Sequence, residues 1–379
     1  MNKVTRQHHR ITLSVGLMLF LHWPASSLAE EKEYGMDDVW LQQQQAETGL
    51  VGMAAVVIQG GEVRYLGAAG DRKKGAGVAI TVTDRWHLGS ITKSMTATVL
   101  AGLVEAGDIG WETPLLPVMG MADTAHPGWE GLTLAQVLSH TAGLPANFSL
   151  RVNMTSSPEE AERPAARRQA VMEVLKKPPK STPGSGFEYS NVGYTLAGVV
   201  IETLTGQPWE QAMRERLFAP LDLGSAGFGP PRSNGGSLTE PRGHRHLLGL
   251  TLAAGEAADN NAIIGPAGTV HMTVEDLARY GYEHLRGERG EGTLLSAGSY
   301  QRLHRPVLEN YAFGWVLREG NADTGPLLWH NGSNTMWYSL LVLVPERDTV
   351  VAMVFNEGNV PRADALAWAW VARSLGTGL

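Results

Sequence analysis

The order of apolar and polar residues divides the chain into three parts. Near the amino end it predicts one helix and then a β-hairpin whose strands are separated by Gly60-Gly61. The middle shows helical periods separated by Pro and Gly, and the carboxyl third returns to apolar strands before a last helix. The predicted helices are residues 36–48, 90–107, 134–138, 161–175, 194–205, 209–218, 274–285 and 361–375. The predicted strands are residues 53–59, 62–67, 327–329, 336–344 and 349–355.

Strands at both ends of the chain, with helices between them, indicate one sheet assembled from both ends into which a helical unit is inserted. We therefore predict an α/β sheet domain formed by residues 30–110 and 265–379, and a helical domain formed by residues 111–264. Residues 227–246 are rich in Pro, Gly and Ser, and we interpret them as an irregular loop. A ligand site is expected in the cleft between the two units.

The amino terminus has the pattern of a signal peptide, residues 1–29. A basic segment ending at Arg10 precedes an apolar stretch at residues 11–23, and cleavage is predicted after Ala29. The apolar stretch is shorter than the roughly 20 residues that span a bilayer, and a retained membrane anchor is the alternative. We expect a periplasmic or secreted protein with no stable membrane insertion after cleavage.

Charge and cysteine content exclude several classes of protein. The chain has 379 residues, and 31 Lys and Arg against 38 Asp and Glu give a formal net charge of −7. This balance disfavours a nucleic-acid binder, which needs a basic surface. There is no cysteine, so disulfides, thiolate nucleophiles and cysteine-bound metals are excluded. Covalent chemistry must therefore use Ser, Thr, Lys or carboxylate side chains.

Ser90 and Lys93 form a candidate nucleophile and base at the start of a predicted helix. Positions i and i+3 share a helix face, so Lys93 could reach the Ser90 hydroxyl. A helix N-terminus also offers free N–H groups and the positive end of the dipole, which stabilise developing negative charge. A serine nucleophile needs such a base or positive neighbour. The motif is weak by itself, because Ser90 could serve only as an N-cap with Lys93 in solvent.

Tyr189 and Asn191 form a second candidate element, on a loop before the next predicted helix. A phenol titrates near about 10, and a nearby cationic lysine favours the phenolate, so Tyr189 is a candidate general base. The Asn191 amide offers a donor and an acceptor for orienting Lys93 and a substrate amide. The alternative is that Ser190 and Asn191 only cap the following helix.

His330, Gly332 and Ser333 form a third element, at a predicted strand of the carboxyl third. A glycine lets a substrate lie against the strand, and the N–H of the next residue can then face the reacting carbonyl. The backbone N–H groups of Ser90 and Ser333 would form an oxyanion hole. A single histidine beside a strand is also common in purely structural roles.

In this order and with these separations, Ser-x-x-Lys, Tyr-x-Asn and His-x-Gly resemble the motifs of the serine beta-lactamase and penicillin-recognising superfamily. The chain is most similar to the class C beta-lactamase-related branch, which includes DD-peptidases, D-aminopeptidases and esterases. Segments 138–145, 265–268 and 311–315 also look like that branch. The resemblance implies an antiparallel sheet flanked by helices, with an inserted all-helical domain across the cleft.

The resemblance also implies roles for six of the candidate residues, and it requires no metal and no organic cofactor. The implied roles are the acylated nucleophile for Ser90, shared proton transfers for Lys93 and Tyr189, orientation of Lys93 and substrate for Asn191, the position facing Tyr189 for His330, and the second oxyanion N–H for Ser333.

The third motif departs from that of the beta-lactamases of this branch, which have Lys-Thr-Gly where this chain has His330-Asn331-Gly332. A histidine with an unperturbed pKa near about 6.5 is mostly neutral at neutral pH. A charge-assisted hydrogen bond to a substrate carboxylate, contributing about 1.5–3 kcal/mol, is then lost. This disfavours beta-lactam hydrolysis as the main activity. It also predicts that activity depends on the ionisation of His330 between about pH 5 and 8.

We therefore expect an exported serine hydrolase that acts through an acyl-enzyme on Ser90 and hydrolyses a small ester or a D-amino-acid peptide. A beta-lactamase is the nearest alternative. A penicillin-like or cell-wall ligand-binding module that turns over poorly is the alternative of a different class.

Overall fold

Strands from both ends of the chain form one antiparallel six-stranded sheet in the computed structural model, which describes residues 36–149, 157–233 and 236–377 together with residues 1 and 152. In chain order the strands are β1 (Gly52–Gln59), β2 (Glu62–Gly70), β3 (Arg85–His87), β4 (Gly227–Phe228), β5 (His244–Leu247), β6 (Leu250–Ala253), β7 (Val270–Thr273), β8 (Val316–Arg318), β9 (Leu327–Ser333), β10 (Tyr338–Val344) and β11 (Thr349–Phe355). The order in the large sheet is β2-β1-β11-β10-β9-β8, as the predicted fold class requires. β3, β7 and β4 form a second sheet, and β5 and β6 form a hairpin.

Helices cover the sheet and predominate in the middle of the chain, although β4, β5 and β6 also lie there. The helices are α1 (Met36–Thr48), α2 (Thr92–Glu105), α3 (Leu115–Val118), α4 (Leu134–Leu138), α5 (Arg163–Leu175), α6 (Asn191–Thr205), α7 (Trp209–Met213), α8 (Gly265–Gly268), α9 (Val274–Glu288), α10 (Ala297–His304) and α11 (Val360–Leu375). Short 3-10 turns lie at Gly89–Ile91, Pro127–Trp129, Glu160–Glu162, Ala262–Ile264 and Pro345–Arg347, and a π-helical turn lies at Arg214–Phe218.

The central strand β11 is buried on both faces, so its apolar residues run without alternation. Val350, Ala352 and Val354 pack into the core that contains α2 and α9, whereas Val351 and Met353 pack on the other side with α11. The sheet is therefore covered by helices on both faces. On one face α9 packs against β1, β10 and β11, in the core that also contains α2 with the candidate Lys93, and on the other face α11 packs against β10 and β11.

The structure corrects two predictions of local structure. Residues 227–246 are not an irregular loop throughout, because β4 pairs with β7 and β5 pairs with β6 in a hairpin. Strand β9 extends to Ser333 instead of ending at residue 329, because its pairing with β10 continues to Tyr338. In both cases the strand is formed by pairing that the local sequence pattern did not indicate.

The domain division and the leader remain predictions. Met36–Leu379 forms one compact unit. The predicted signal peptide, apart from Met1, lies outside the described residues. Among the helices that the structure describes, none has the length and apolar character needed to cross a membrane.

Candidate active site

Ser90 lies in the 3-10 turn that joins β3 to α2. Gly89, directly before it, has a φ of +51°, a left-handed conformation that glycine adopts without strain. Ser90 Oγ is 3.1 Å from Lys93 Nζ, as the i, i+3 spacing predicts. The alternative of an N-cap serine and a solvated lysine is wrong, because Leu88 and Ile91 occupy the cap positions and Lys93 is buried.

The Lys93 amine is surrounded by three oxygen atoms. Nζ donates to Asn191 Oδ1 at 2.8 Å and to the Ala267 carbonyl at 2.7 Å, and it also contacts Ser90 Oγ. Burial lowers the pKa of Lys93 well below its ordinary value. Burial therefore favours the neutral amine of Lys93, which is the form that can accept a proton from Ser90.

Tyr189 and Asn191 flank the start of α6. Ser190 caps this helix, since its Oγ accepts the Gly193 N–H at 2.9 Å. Asn191 does not serve as the cap, and its side chain joins Lys93 to Asn147, whose Oδ1 accepts from Asn191 Nδ2 at 2.8 Å. The capping alternative is thus correct for Ser190 only. The Asn191 side chain therefore lies where it can orient Lys93, which is the role predicted for it.

The Tyr189 phenol lies beside Ser90, and the centre of its half-buried ring is 4.7 Å from Lys93 Nζ. Burial raises the pKa of Tyr189 well above the ordinary value of a phenol. The expectation that a cationic lysine favours the Tyr189 phenolate is therefore wrong for the free protein, because burial favours the neutral form of both groups. Tyr189 is placed to pass a proton as a neutral phenol.

His330 on β9 lies in the same cavity wall as Tyr189. Its Nδ1 is 2.5 Å from the Asn331 carbonyl, and its Nε2 is 3.1 Å from Tyr311 Oη. A proton on Nδ1 satisfies the carbonyl and leaves Nε2 to accept from Tyr311. Burial, with a smaller contribution from Lys93, lowers the pKa of His330 to about 4.

Gly332 and Ser333 bring β9 into contact with the turn that holds Ser90. A Cβ at Gly332 would lie 1.9 Å from the Leu88 carbonyl oxygen and 2.6 Å from Ser90 N, and a Cβ at Gly89 would lie 2.4 Å from Ser333 N. Only glycine allows these two backbone segments to approach so closely. The approach brings together the segments whose N–H groups are predicted to form the oxyanion hole.

Two side chains that sequence reasoning did not place in the site hold Tyr189. His140, with a φ of +61°, accepts the Ser190 N–H on Nδ1 at 3.0 Å, and its ring centre is 4.3 Å from that of Tyr189. The Tyr311 ring centre is 6.2 Å from that of Tyr189 and 5.9 Å from that of His330. Both residues lie in segments that carry the family resemblance, residues 138–145 and 311–315. That resemblance was the feature of the sequence that could have placed them in the site.

A buried arginine fixes the segment that supplies the Ala267 carbonyl to Lys93. Arg167 on α5 donates from Nε to the Ile263 carbonyl at 2.9 Å and pairs with Glu202 and Glu210. These bonds hold the turn before α8 against α5. The position of the Lys93 acceptor thus depends on a charge cluster remote from Ser90.

Two cavities meet at Ser90 and Ser333. The first, of about 320 Å³, has a polar wall that contains Asn147, Asn191, Asp259, Asn260, Asn261 and Asn334. The second, of about 520 Å³, has an aromatic wall that contains Phe187, Tyr189, Tyr311, Trp329 and Tyr338 beside His330. Among the described residues that line these cavities there is no Lys or Arg.

Asp259 brings a carboxylate to the polar cavity, and no sequence motif indicated it. Its Oδ1 accepts from Asn334 Nδ2 at 2.8 Å and lies 2.9 Å from His87 Nε2. Its Oδ2 is buried and has no hydrogen-bond partner among the described residues. Asp259, which lines the polar cavity, therefore has one carboxylate oxygen whose hydrogen-bonding capacity is unused among the described residues.

The low pKa of His330 changes the pH dependence of activity that we expect. The sequence predicted that activity would follow the ionisation of His330 between about pH 5 and 8. Because His330 is already neutral there, plots of log kcat/KM against pH for wild type and His330→Ala should have the same shape above about pH 5. A wild-type step near pH 6.5 that is absent from the variant would contradict this.

The low pKa of His330 also affects stability. The unfolded chain protonates His330 near about 6.5, so the free energy of unfolding should fall as the pH drops from that value toward 4.

Comparison with known proteins extends the resemblance to nearly the whole described chain. Residues 38–375 match the Beta-lactamase family. The chain is 30% identical over 323 residues to Penicillin-binding protein 4 of Amycolatopsis lactamdurans, with 81% of each chain covered. It is 26% identical over 334 residues to the D-alanyl-D-alanine-carboxypeptidase/endopeptidase AmpH of Escherichia coli strain K12, covering 83% of this chain and 82% of the relative.

A solved structure of D-amino acid amidase from Ochrobactrum anthropi SV3, complexed with L-phenylalanine, shares the fold with a TM-score of 0.73. The identity is 20%, and the alignment covers 89% of this chain and 98% of that one. The family match includes all three candidate motifs and every strand of the large sheet. The chain therefore belongs to the Beta-lactamase family and is a serine hydrolase.

Proposed function

We propose that this chain hydrolyses small esters or D-amino-acid peptides through an acyl-enzyme on Ser90, and that its preferred substrates lack a carboxylate beside the scissile bond. The observation that carries the proposal is the contact of Ser90 with both Lys93 and Tyr189 at the junction of two cavities that lack a cationic wall. Residues 1–29 support export of the chain to the periplasm or medium.

The Lys93 amine is the proposed proton acceptor in the first step. A neutral amine has two N–H donors and one lone pair. Asn191 Oδ1 and the Ala267 carbonyl take the two donors, which leaves the lone pair for the Ser90 hydroxyl. Ser90 Oγ then bonds to the substrate carbonyl carbon while its proton moves to Lys93 Nζ. The N–H groups of Ser90 and Ser333 are the proposed donors to the resulting oxyanion.

Tyr189 is the proposed route from Lys93 to the leaving group. The ammonium that forms on Lys93 lies over the Tyr189 ring and is stabilised by it. A buried phenol can donate its proton to the departing oxygen or nitrogen and be reprotonated from Lys93. The bond to the leaving group breaks, and water then cleaves the acyl-enzyme by the same steps in reverse.

The charges around Ser90 support the choice of substrate. A substrate carboxylate needs a cationic partner when it is desolvated. His330 is neutral above about pH 4, and the described cavity walls contain no Lys or Arg. Asp259 instead brings a carboxylate to the wall of the polar cavity, and its negative charge suits a substrate ammonium group. Neutral esters and amides with a free amino group therefore fit the site better than beta-lactams or peptides with a carboxylate at the scissile bond.

The nucleophile is tested with a fluorophosphonate probe and intact-mass measurement. We expect one adduct on the wild-type chain and none on Ser90→Ala. A wild-type chain without an adduct, or an equal adduct on Ser90→Ala, would remove the assignment of Ser90. A wild-type adduct without turnover of any substrate would favour the ligand-binding module.

The substrate class is tested on the same protein with p-nitrophenyl acetate, D-alanyl p-nitroanilide, its N-acetyl derivative, a peptide ending in D-Ala-D-Ala, and nitrocefin. We expect the ester and the free-amino anilide to be hydrolysed fastest. Asp259→Asn should reduce the preference for the free amine over its N-acetyl derivative about tenfold, the usual loss for one charge-assisted hydrogen bond. Nitrocefin or the D-Ala-D-Ala peptide as the best substrate would overturn the substrate proposal while leaving Ser90 in place.

A further inference from the structure

The hairpin of β5 and β6 exposes a cluster of large apolar side chains. Its turn is Leu248-Gly249, with φ values of +50° and +78°. The exposed residues are Leu247 at 63%, Leu248 at 92%, Leu250 at 62% and Leu252 at 57%, and we name these four the leucine tip. Apolar residues scattered singly on a surface are ordinary, whereas such a concentration on one element marks an interaction surface.

The strand register shows that the hairpin is turned with its apolar face outward. Leu247 pairs with Leu250 and Arg245 pairs with Leu252, so these side chains share one face. The other face carries His246 and Thr251, and Thr251 Oγ1 donates to the buried Glu357 at 2.7 Å. Antiparallel strands at a surface normally place polar residues toward water and apolar residues toward the protein. This hairpin has the reverse arrangement.

Basic side chains surround the base of the hairpin. Arg245, Lys73 and Lys74 are exposed, and the Lys74 N–H donates to His244 Nε2 at 3.1 Å, which fixes the lysine pair beside β5. The chain as a whole has a net charge of −7, so this group has the opposite sign from the rest of the protein. Exposed apolar residues next to cations are the combination that binds the interface of an anionic bilayer.

We propose that the leucine tip docks on the surface of a lipid bilayer that contains anionic phospholipids. A second copy of the chain is a less suitable occupant, because a stable protein interface buries about 800 Å² on each partner and the tip is a narrow two-stranded projection. The hairpin base also bonds to the site region, since the His244 N–H donates to the Met336 carbonyl at 3.0 Å and Asn334 lines the polar cavity. Docking would hold the cleft beside the lipid surface without any segment spanning it.

The absence of cysteine allows a direct test in the full chain. A single cysteine at Leu248→Cys is labelled with the environment-sensitive fluorophore NBD and mixed with vesicles of equal parts phosphatidylglycerol and phosphatidylcholine. The matched control is Val63→Cys, a 43% exposed site on β2. Val63 lies near the start of β11, whereas the β5–β6 hairpin contacts Asn356, just after the end of β11. We expect a blue-shifted and stronger emission for the tip label only. The amino-terminal residues are the same in both chains and cannot produce this difference.

A second measurement uses vesicle sedimentation. The double variant Leu248→Asp and Leu250→Asp should reduce partition onto the same vesicles about tenfold or more, and Val63→Asp with Val307→Asp should not. Phosphatidylcholine alone, or about 1 M salt, should weaken the wild-type binding because the basic group then contributes little. Labelling of Ser90 by the fluorophosphonate probe shows that each variant is folded.

Two results would overturn the proposal. One is an emission of the tip label that vesicles leave unchanged or change no more than that of the Val63 label. The other is a blue shift that grows with protein concentration without lipid, which would assign the tip to contact with a second copy.

Discussion

Lys93→Met is expected to lower kcat/KM for p-nitrophenyl acetate about a thousandfold, the usual range for loss of a general base. Methionine has nearly the length of lysine and suits a buried position, so the fold should remain. Its thioether sulfur is too weakly basic to take the proton of the Ser90 hydroxyl, whose Oγ is 3.1 Å from Lys93 Nζ in the wild type. The measurement is the rate of acylation, followed as p-nitrophenol release and as fluorophosphonate labelling of Ser90.

The matched control for this variant is Lys176→Met, an exposed lysine that pairs with Glu173 at 2.7 Å. It should leave kcat/KM unchanged. Thermal unfolding of both variants separates lost chemistry from lost structure, because Lys93→Met also leaves the Asn191 and Ala267 oxygens without a donor. A folded Lys93→Met protein that keeps activity within about tenfold of wild type would assign the proton to another group, with Tyr189 the next candidate.

The pKa of Lys93 illustrates what the sequence could and could not predict about the site. The i, i+3 spacing was enough to place Lys93 beside Ser90. The direction in which the pKa of Lys93 shifts depends on its burial by α6 and α8. These helices lie about a hundred residues or more further along the chain. From sequence alone, Lys93 could serve as a base or as a cation that favours the Tyr189 phenolate, whereas burial favours the neutral form of both side chains.

The same distinction holds for the fold. The hairpin of β1 and β2 and the strand β11 were predictable, because their apolar pattern and turn residues are local signals. The pairing of β4 with β7 joins residues far apart in the chain, and the apolar face of the β5–β6 hairpin points away from the core. Asp259 was missed for a related reason, since only tertiary structure brings it to the cavity beside Ser90.

Gly332→Ala is expected to reduce kcat/KM at least about a hundredfold, because a displacement of about 1 Å in a reacting group has an effect of that size. The added Cβ would lie 1.9 Å from the Leu88 carbonyl oxygen and 2.6 Å from Ser90 N. Leu88 cannot easily move away, since its carbonyl accepts the Ser339 hydroxyl at 2.8 Å. Strand β9 must therefore separate from the Ser90 turn, which displaces the two predicted oxyanion donors. The measurements are kcat/KM and the rate of probe labelling.

Gly268→Ala is the matched control, because it adds the same methyl group on another side of the Ser90 turn. Its Cβ would lie 3.5 Å from Gly89 C and 3.8 Å from Ser90 N, which is ordinary van der Waals contact. Activity should stay within a few-fold of wild type. Overpacking at Gly332 should also lower the free energy of unfolding by about 1–3 kcal/mol. Equal activity of the two variants would mean that the approach of β9 to Ser90 is not needed for catalysis, and the oxyanion role of Ser333 would then be wrong.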